Sequence, residues 1–272
     1  MTKIYKRIQQ SLKTRWLLFK DELEVRLGKR HPLLPPRRYN YINSGVNSEI
    51  NQEFFNYFKD LCGLQPTDSV LEVGSGFGRM AIPLTEYLST EGRYEGLEII
   101  QDGVNWCTSK FTTRYPNFKF QYIDVYNERY NPKGRQEASN FLFPYNNETF
   151  DFVYLTSVFT HMFYDDVAHY LSEINRVLTP GGVCLITYFI LDDISLMQIR
   201  HKRGVFSFRH DKDGAFIEDM QQPEYAVAYT LDTIRSLYKT HKLEIQSPIR
   251  YGNWSGREPY LSFQDIVIAR KL

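Results

Sequence analysis

Three acids, three glycines and one histidine carry the chemistry legible in this chain. Gly74, Gly76 and Gly78 stand at alternate positions, with Ser75 between the first two and Glu72 two residues before them. They follow a short apolar run, Val70, Leu71 and Val73, of the kind that forms a strand buried on both faces. Glycines there let bare backbone approach a ligand, and the helix that resumes at Met80 aims its free N–H groups at the same point. Pro83 falls in the first turn of that helix, where a missing N–H costs little. The G-x-G-x-x-G dinucleotide fingerprint is met at Gly74 and Gly76, but Arg79 stands where the third glycine belongs, and no Lys follows to make a P-loop. Glu98 ends the next short strand, 92–100. A carboxylate at that place in a doubly wound sheet accepts both hydroxyls of a ribose; the alternative is a strand-end acid in solvent. Asp124 closes a third strand, 118–125, and His161 follows a fourth, 152–155, by a few residues.

These groups need a scaffold of alternating strands and helices, and the chain supplies it. A helix with Ile50, Phe54, Phe55, Phe58 and Leu61 is opened by Asn47 or Ser48 and stopped by Gly63. Helices are expected around Val104 to Phe111, from Asp165 to Leu178, and over 231–238. The apolar run 183–191 suits a central strand. Residues 243–249 and 263–269 form a last pair of strands, which a hairpin makes antiparallel. The expected fold is α/β: a doubly wound, Rossmann-like, seven-stranded sheet with the last strand antiparallel, plus an N-terminal helical extension. The segment 126–147 is too long for a simple connector. Residues 192–228 break the rhythm and read as an insertion or lid. The division is therefore 1–46, a basic helix and proline-rich linker, and 47–272, the main domain.

Residues 1–27 place Ile4, Ile8, Leu12 and Trp16 on one helical face, with six basic residues and no acid before Asp21. We read this helix as packing on its own domain or on a partner; a membrane-surface helix is the alternative. Pro32, Pro35 and Pro36 keep the following linker extended. The chain has 272 residues, net charge +1 and no apolar run near the ~20 residues of a membrane span, so neither nucleic acid nor a spanning segment is expected. Cys62, Cys107 and Cys184 are too scattered for a zinc site, no metal is expected, and a cytoplasmic location suits them.

The E-x-G-x-G-x-G pattern at 72–78 resembles motif I of the class I S-adenosylmethionine-dependent methyltransferases. Further blocks resemble the bacterial methyltransferase type 11/12 kind: Gly76 to Ala81, Tyr130 to Gly134, Ser157 to Met162, Arg176 to Gly182 and Phe263 to Arg270. The resemblance covers about 66–191 and 243–270, and departs at Glu98, where Asp is common. It implies S-adenosyl-L-methionine as cofactor, held by Gly74, Ser75, Gly76 and Gly78, by Glu98 with Ile99 at the ribose, and by Asp124 with Val125 at the adenine. Glu72 would orient the cofactor through its amino group or a water. The implied reaction is methyl transfer to a small organic or glycan-like acceptor, the aromatic loops (Tyr39, Tyr41, Tyr126, Tyr130, Phe206, Phe208, Tyr229, Trp254) suggesting such a molecule. His161 would be the general base, since histidine titrates near neutrality; otherwise it caps a helix or bonds a loop carbonyl. Arg257 and Tyr229 are candidates to orient the acceptor. The rival readings are a non-catalytic domain of the same fold and a nicotinamide-dependent oxidoreductase. The absence of a Pro-Pro-aromatic motif after the fourth strand, and of any Pro-Cys pair, argues against nucleic-acid methylation.

Overall fold

The structure is a computed structural model and describes residues 15–39 and 48–272. The elements in chain order are α1 (15–26), α2 (Ser48–Asp60), β1 (Ser69–Val73), α3 (Ala81–Tyr87), β2 (Arg93–Glu98), α4 (Gln101–Cys107), β3 (Phe118–Tyr122), β4 (Phe150–Leu155), α5 (Tyr164–Val177) and β5 (Leu178–Tyr188). Then come β6 (Ile190–Leu191), α6 (Asp193–Arg200), β7 (His210–Lys212), β8 (Ala215–Ile217), β9 (Val227–Thr230), α7 (Leu231–Thr240), β10 (Leu243–Ile245) and β11 (Asp265–Lys271).

Seven strands form one sheet in the order β10-β11-β5-β4-β1-β2-β3. The pairs from β3 to β5 are parallel, and β11 runs antiparallel to both β5 and β10. Period-two alternation splits each buried strand between two cores. Leu71 and Val73 face the core that α5 and α7 close with Val167, Leu171, Ile174 and Leu237. Val70 faces the other, filled by Phe54 and Phe58 of α2, Leu84 of α3 and Val104 of α4. Glu72 and Glu98 fall on this second face, as neighbours of Leu71, Val73 and Leu97, which point to the first. The strand order reverses between β1 and β4, and a crevice opens there at the strands' C-terminal ends, where ligands of such sheets bind.

The apolar run 183–191 is not one strand. It breaks at Phe189, because the Ile190 N–H donates to the buried Asp265 carboxylate (2.6 Å). β6 then leaves the main sheet to start a second one, β6-β9-β8-β7. Residues 192–228 supply most of this second sheet together with α6, whose N-terminus is closed by a capping box between Asp192 and Ser195. Phe189, Phe208 and Trp254 form a small core of their own beneath it.

The stripe expected at the N-terminus begins with Ile4, Ile8 and Leu12, which lie outside the described residues, as do Asn47, the Ser48 side chain and Tyr41. Within α1 the stripe continues through Trp16, Phe19 and Leu23, all exposed.

Candidate functional site

The glycine turn leaves β1 with positive φ at Gly74 (82°), Gly76 (54°) and Gly78 (73°), a conformation glycine adopts without strain. A side chain at Gly74 would also collide with Val158, whose Cγ2 lies 2.5 Å from where a Cβ would stand. The loop after β4 therefore closes directly over the turn. The Gly74 and Ser75 N–H groups donate to the Leu97 carbonyl (2.8 and 3.1 Å), which fixes the turn against β2.

Glu98 is buried at 4% exposure and points into this turn. One oxygen accepts from the Gly76 N–H (2.5 Å) and the other from the Ile100 N–H (2.7 Å). Burial pushes its carboxyl above the ordinary glutamate value, while the N–H groups of Ile100, Gly76 and Ile99 pull it back. Each oxygen retains a lone pair for one more donor, as a vicinal diol would offer. The Ser75 hydroxyl is buried and has no partner among the described residues. Bare backbone, a carboxylate with spare acceptor capacity and an orphaned hydroxyl are a fit for the sugar and amino-acid portions of S-adenosylmethionine.

Glu72 lies deeper, 2% exposed. The Tyr94 and Tyr154 hydroxyls both donate to its Oε2, the latter at 2.9 Å. Burial raises its carboxyl to about 7 against the pull of the two tyrosines and of Arg79. The Asp124 carboxylate is held below the usual aspartate range by Arg135, which pairs with it, and accepts from the Tyr122 hydroxyl (3.2 Å). Arg135 is 84% exposed in its side chain and so is free to yield this oxygen to another donor. Val125 is buried behind it, and Ile99 packs against the same core.

His161 ends the turn Phe159–His161, on the side of the crevice opposite Glu98's strand. Its Nδ1 lies 2.7 Å from the Glu224 carbonyl. A carbonyl only accepts, so Nδ1 carries the proton and Nε2 of the neutral ring keeps its lone pair. Burial pushes the imidazole below its ordinary value, favouring that neutral form. This is the loop-carbonyl bond anticipated as the alternative to a catalytic role.

The sequence reading missed what surrounds His161. The Tyr130 ring meets it edge-on at 6.0 Å, and the Arg129 guanidinium lies over both Tyr130 (5.4 Å) and Tyr225 (5.6 Å). Asn127 and the Glu128 N–H both donate to the Glu224 carboxylate (2.7 and 3.0 Å), tying the 126–147 segment to the 192–228 segment. A cleft of about 210 Å³ lies between them, lined by Glu128, Arg129, Gln222, Glu224 and Tyr225. The length of 126–147 and its tyrosines were the available signal; nothing local pointed to a partner almost a hundred residues away.

Two expected acceptor groups have other duties. Arg257 pairs with Asp192 and stacks on Tyr251 (3.8 Å), and the Tyr229 hydroxyl donates to the Met162 carbonyl (2.7 Å). Tyr229, Phe208 and Trp254 are buried packing residues rather than loop surfaces.

Residues 71–186 match the family described as a methyltransferase domain. The chain is 24% identical over 161 residues to the ubiquinone/menaquinone biosynthesis C-methyltransferase of Teredinibacter turnerae, a match spanning 59% of each protein. Its fold is similar to that of a SAM-dependent methyltransferase from Methanosarcina mazei (TM-score 0.53, 19% identity, 80% of this chain and 96% of that one). It is also similar to a Pyrococcus horikoshii protein (0.56, 15%, 86% and 95%) and to the [4+2]-cyclase SpnF (0.52, 14%, 82% and 80%). At these identities the structures speak for the fold alone; the matched domain, which runs from β1 into β5 and contains the whole glycine-turn site, speaks for the chemistry. Residues 71–186 thus carry a methyltransferase domain, set in a fold similar to that of S-adenosylmethionine-dependent methyltransferases.

Proposed function

We propose that this methyltransferase acts on a small organic or glycan-like acceptor bearing a hydroxyl or amine, with His161 as general base. The observation that carries this reading is the Nδ1 bond to the Glu224 carbonyl, which leaves Nε2 of the neutral ring unprotonated, Glu224 being itself one wall of the cleft between the two long segments. S-adenosylmethionine, when bound, supplies a methyl group on a sulfonium. Gly74, Ser75, Gly76 and Gly78 give its backbone approach, Glu98 and Ile99 take the ribose, and Asp124 and Val125 the adenine. Glu72 acts from behind, as a buried carboxyl that holds Tyr94 and Tyr154 under the turn. An acceptor hydroxyl or amine sheds a proton as it is methylated, and Nε2 is the group placed to take it. Holding acceptor and cofactor in line is the larger part of the work, worth up to ~7–11 kcal/mol in the best intramolecular cases.

A small organic acceptor is also in keeping with the curated relative, by name a C-methyltransferase of quinone biosynthesis. The three cysteines, all buried and free, suit a reducing cytoplasm. Among the described residues no helix is long and apolar enough to cross a membrane. Calorimetry with S-adenosylhomocysteine, followed by an acceptor screen scored on release of that product, tests the reading. Tight binding with turnover on hydroxylated or amino acceptors supports it. Binding of NAD instead, or no turnover across the screen by a protein that binds S-adenosylhomocysteine, removes it in favour of an oxidoreductase or a non-catalytic domain.

A further inference from the structure

The exposed stripe of α1 is continuous. Trp16, Phe19, Leu23 and Leu27 follow one another at spacings of three and four residues, which stacks them on one helical face. They are 60%, 65%, 44% and 57% exposed. This face is held outward by a fixed contact on the opposite side. Asp21, 7% exposed, accepts from the Arg37 backbone N–H (2.9 Å) and guanidinium (2.5 Å), with Arg30 at 3.7 Å. Glu24 pairs with the same Arg37. The linker that carries Arg30 and Arg37 is itself anchored through Leu33, buried in the core with Phe54 and Phe58.

Charge is divided just as unevenly. The first twenty residues carry Lys3, Lys6, Arg7, Lys13, Arg15 and Lys20 and no acid. The rest of the chain holds the other 27 of the 33 basic residues against all 32 acids, so it is net negative. The Lys20 ammonium lies 5.4 Å from the Trp16 ring centre, so a cation stands directly beside the most exposed indole. Residues 1–27 as a whole hold seven basic residues against Asp21, Glu22 and Glu24, and an apolar, aromatic face in a net-positive segment fits an interface that is oily below and anionic above. A second copy of this chain fits it less well, because joining two such faces would bring two cationic segments together.

We propose that α1, with the basic residues before it, seats this protein on an anionic lipid surface. The apolar face enters the acyl boundary while Arg15 and Lys20 meet lipid phosphates, and the net positive charge of the segment draws it to the surface. The proposal is independent of the acceptor reading above, because no residue of the crevice takes part.

The test is co-sedimentation of the full chain with vesicles of phosphatidylcholine alone and of phosphatidylcholine with one quarter phosphatidylglycerol, at 0.1 and 0.5 M salt. The expected result is at least tenfold stronger partitioning to the anionic vesicles, weakened at high salt. The double substitution Trp16→Ser and Phe19→Ser should reduce partitioning at least tenfold without changing thermal unfolding or S-adenosylhomocysteine affinity. Equal sedimentation with both vesicles, or a double variant that binds as the wild type does, overturns the proposal. So does a loss of thermal stability in the variant, which would mean that the face is packed on protein. A dimer in sedimentation equilibrium that the same substitutions dissolve would assign the face to a second copy instead.

Discussion

The two sides of the crevice are built in opposite ways. The cofactor side is made of contiguous chain: the glycine turn, Glu98 and the N-terminus of α4 lie within about thirty residues, and their contacts are mostly backbone to backbone or backbone to carboxylate. The opposite side, where we propose that the acceptor binds, is assembled from distant pieces. His161 is fixed by Glu224, and Glu224 by Asn127 and Glu128. Short-range construction suits a site that must present the same shape to one ligand. Long-range construction lets side chains change without disturbing the cradle, and it is where acceptor choice belongs in such a fold.

If that division is right, damage on one side should leave the other intact. His161→Ala should lower turnover by roughly 10²–10⁴-fold while S-adenosylhomocysteine affinity and thermal stability hold. The neutral imidazole is the working form, so the wild-type rate should fall with acid, through an ionisation below the ordinary histidine value because burial depresses it. Turnover within about threefold of wild type would return His161 to a purely structural role.

Glu98→Ala should do the reverse and weaken S-adenosylhomocysteine roughly ten- to a hundredfold by calorimetry, the cost of a charge-assisted hydrogen bond at ~1.5–3 kcal/mol. An unchanged affinity in the folded variant would detach Glu98 from the ribose.

Glu72 sharpens the comparison through pH. Its folded carboxyl sits at about 7, above the ordinary glutamate value of 4.5, so the folded state holds this proton more tightly than the unfolded chain does. The stability it contributes is full below pH 4.5 and is lost as pH rises toward 7, with a slope of up to about 1.4 kcal/mol per pH unit. Glu72→Gln keeps an acceptor for the tyrosines and should flatten this part of the profile in denaturant titrations between pH 5 and 8. An identical profile in the variant would place the carboxyl's titration elsewhere.

The smallest effect is expected at Asp192, which caps α6 and pairs with Arg257. Asp192→Ala should cost about 1 kcal/mol and leave cofactor affinity untouched. The donors from Ser195 and Arg257 hold its carboxyl below the ordinary range, so this contribution is present above the ordinary carboxylate value and disappears as pH falls through the folded one. A loss of S-adenosylhomocysteine binding in this variant would contradict the separation of the two sides.

The same contrast explains what the sequence could announce. The glycine turn, the acid-ended strands and the alternation of strands with helices follow from local patterns: alternate glycines, short apolar runs, helical spacing. The break at Phe189 did not, because an apolar run reads alike whether its N–H groups pair within a strand or with a carboxylate seventy-five residues away. Arg257 and Tyr229 looked available for an acceptor because nothing near them in sequence shows Asp192 or the Met162 carbonyl. Tyr130 stood out as a loop aromatic, whereas Arg129 could be flagged only through the excessive length of its loop.

Trp254 makes the loop between β10 and β11 observable by light. Its indole is fully buried, crowded by Phe189 and Phe208 at 5.3 Å, and donates to Asp265 at 2.7 Å. Trp16 is open to solvent, and the chain has three tryptophans in all. With Trp16 and Trp106 replaced by phenylalanine, the emission of the remaining indole becomes a label-free gauge of the loop that joins β10 to β11. Any acceptor that loosens this loop will move the spectrum to the red, and one that merely enters the crevice will leave it where it was.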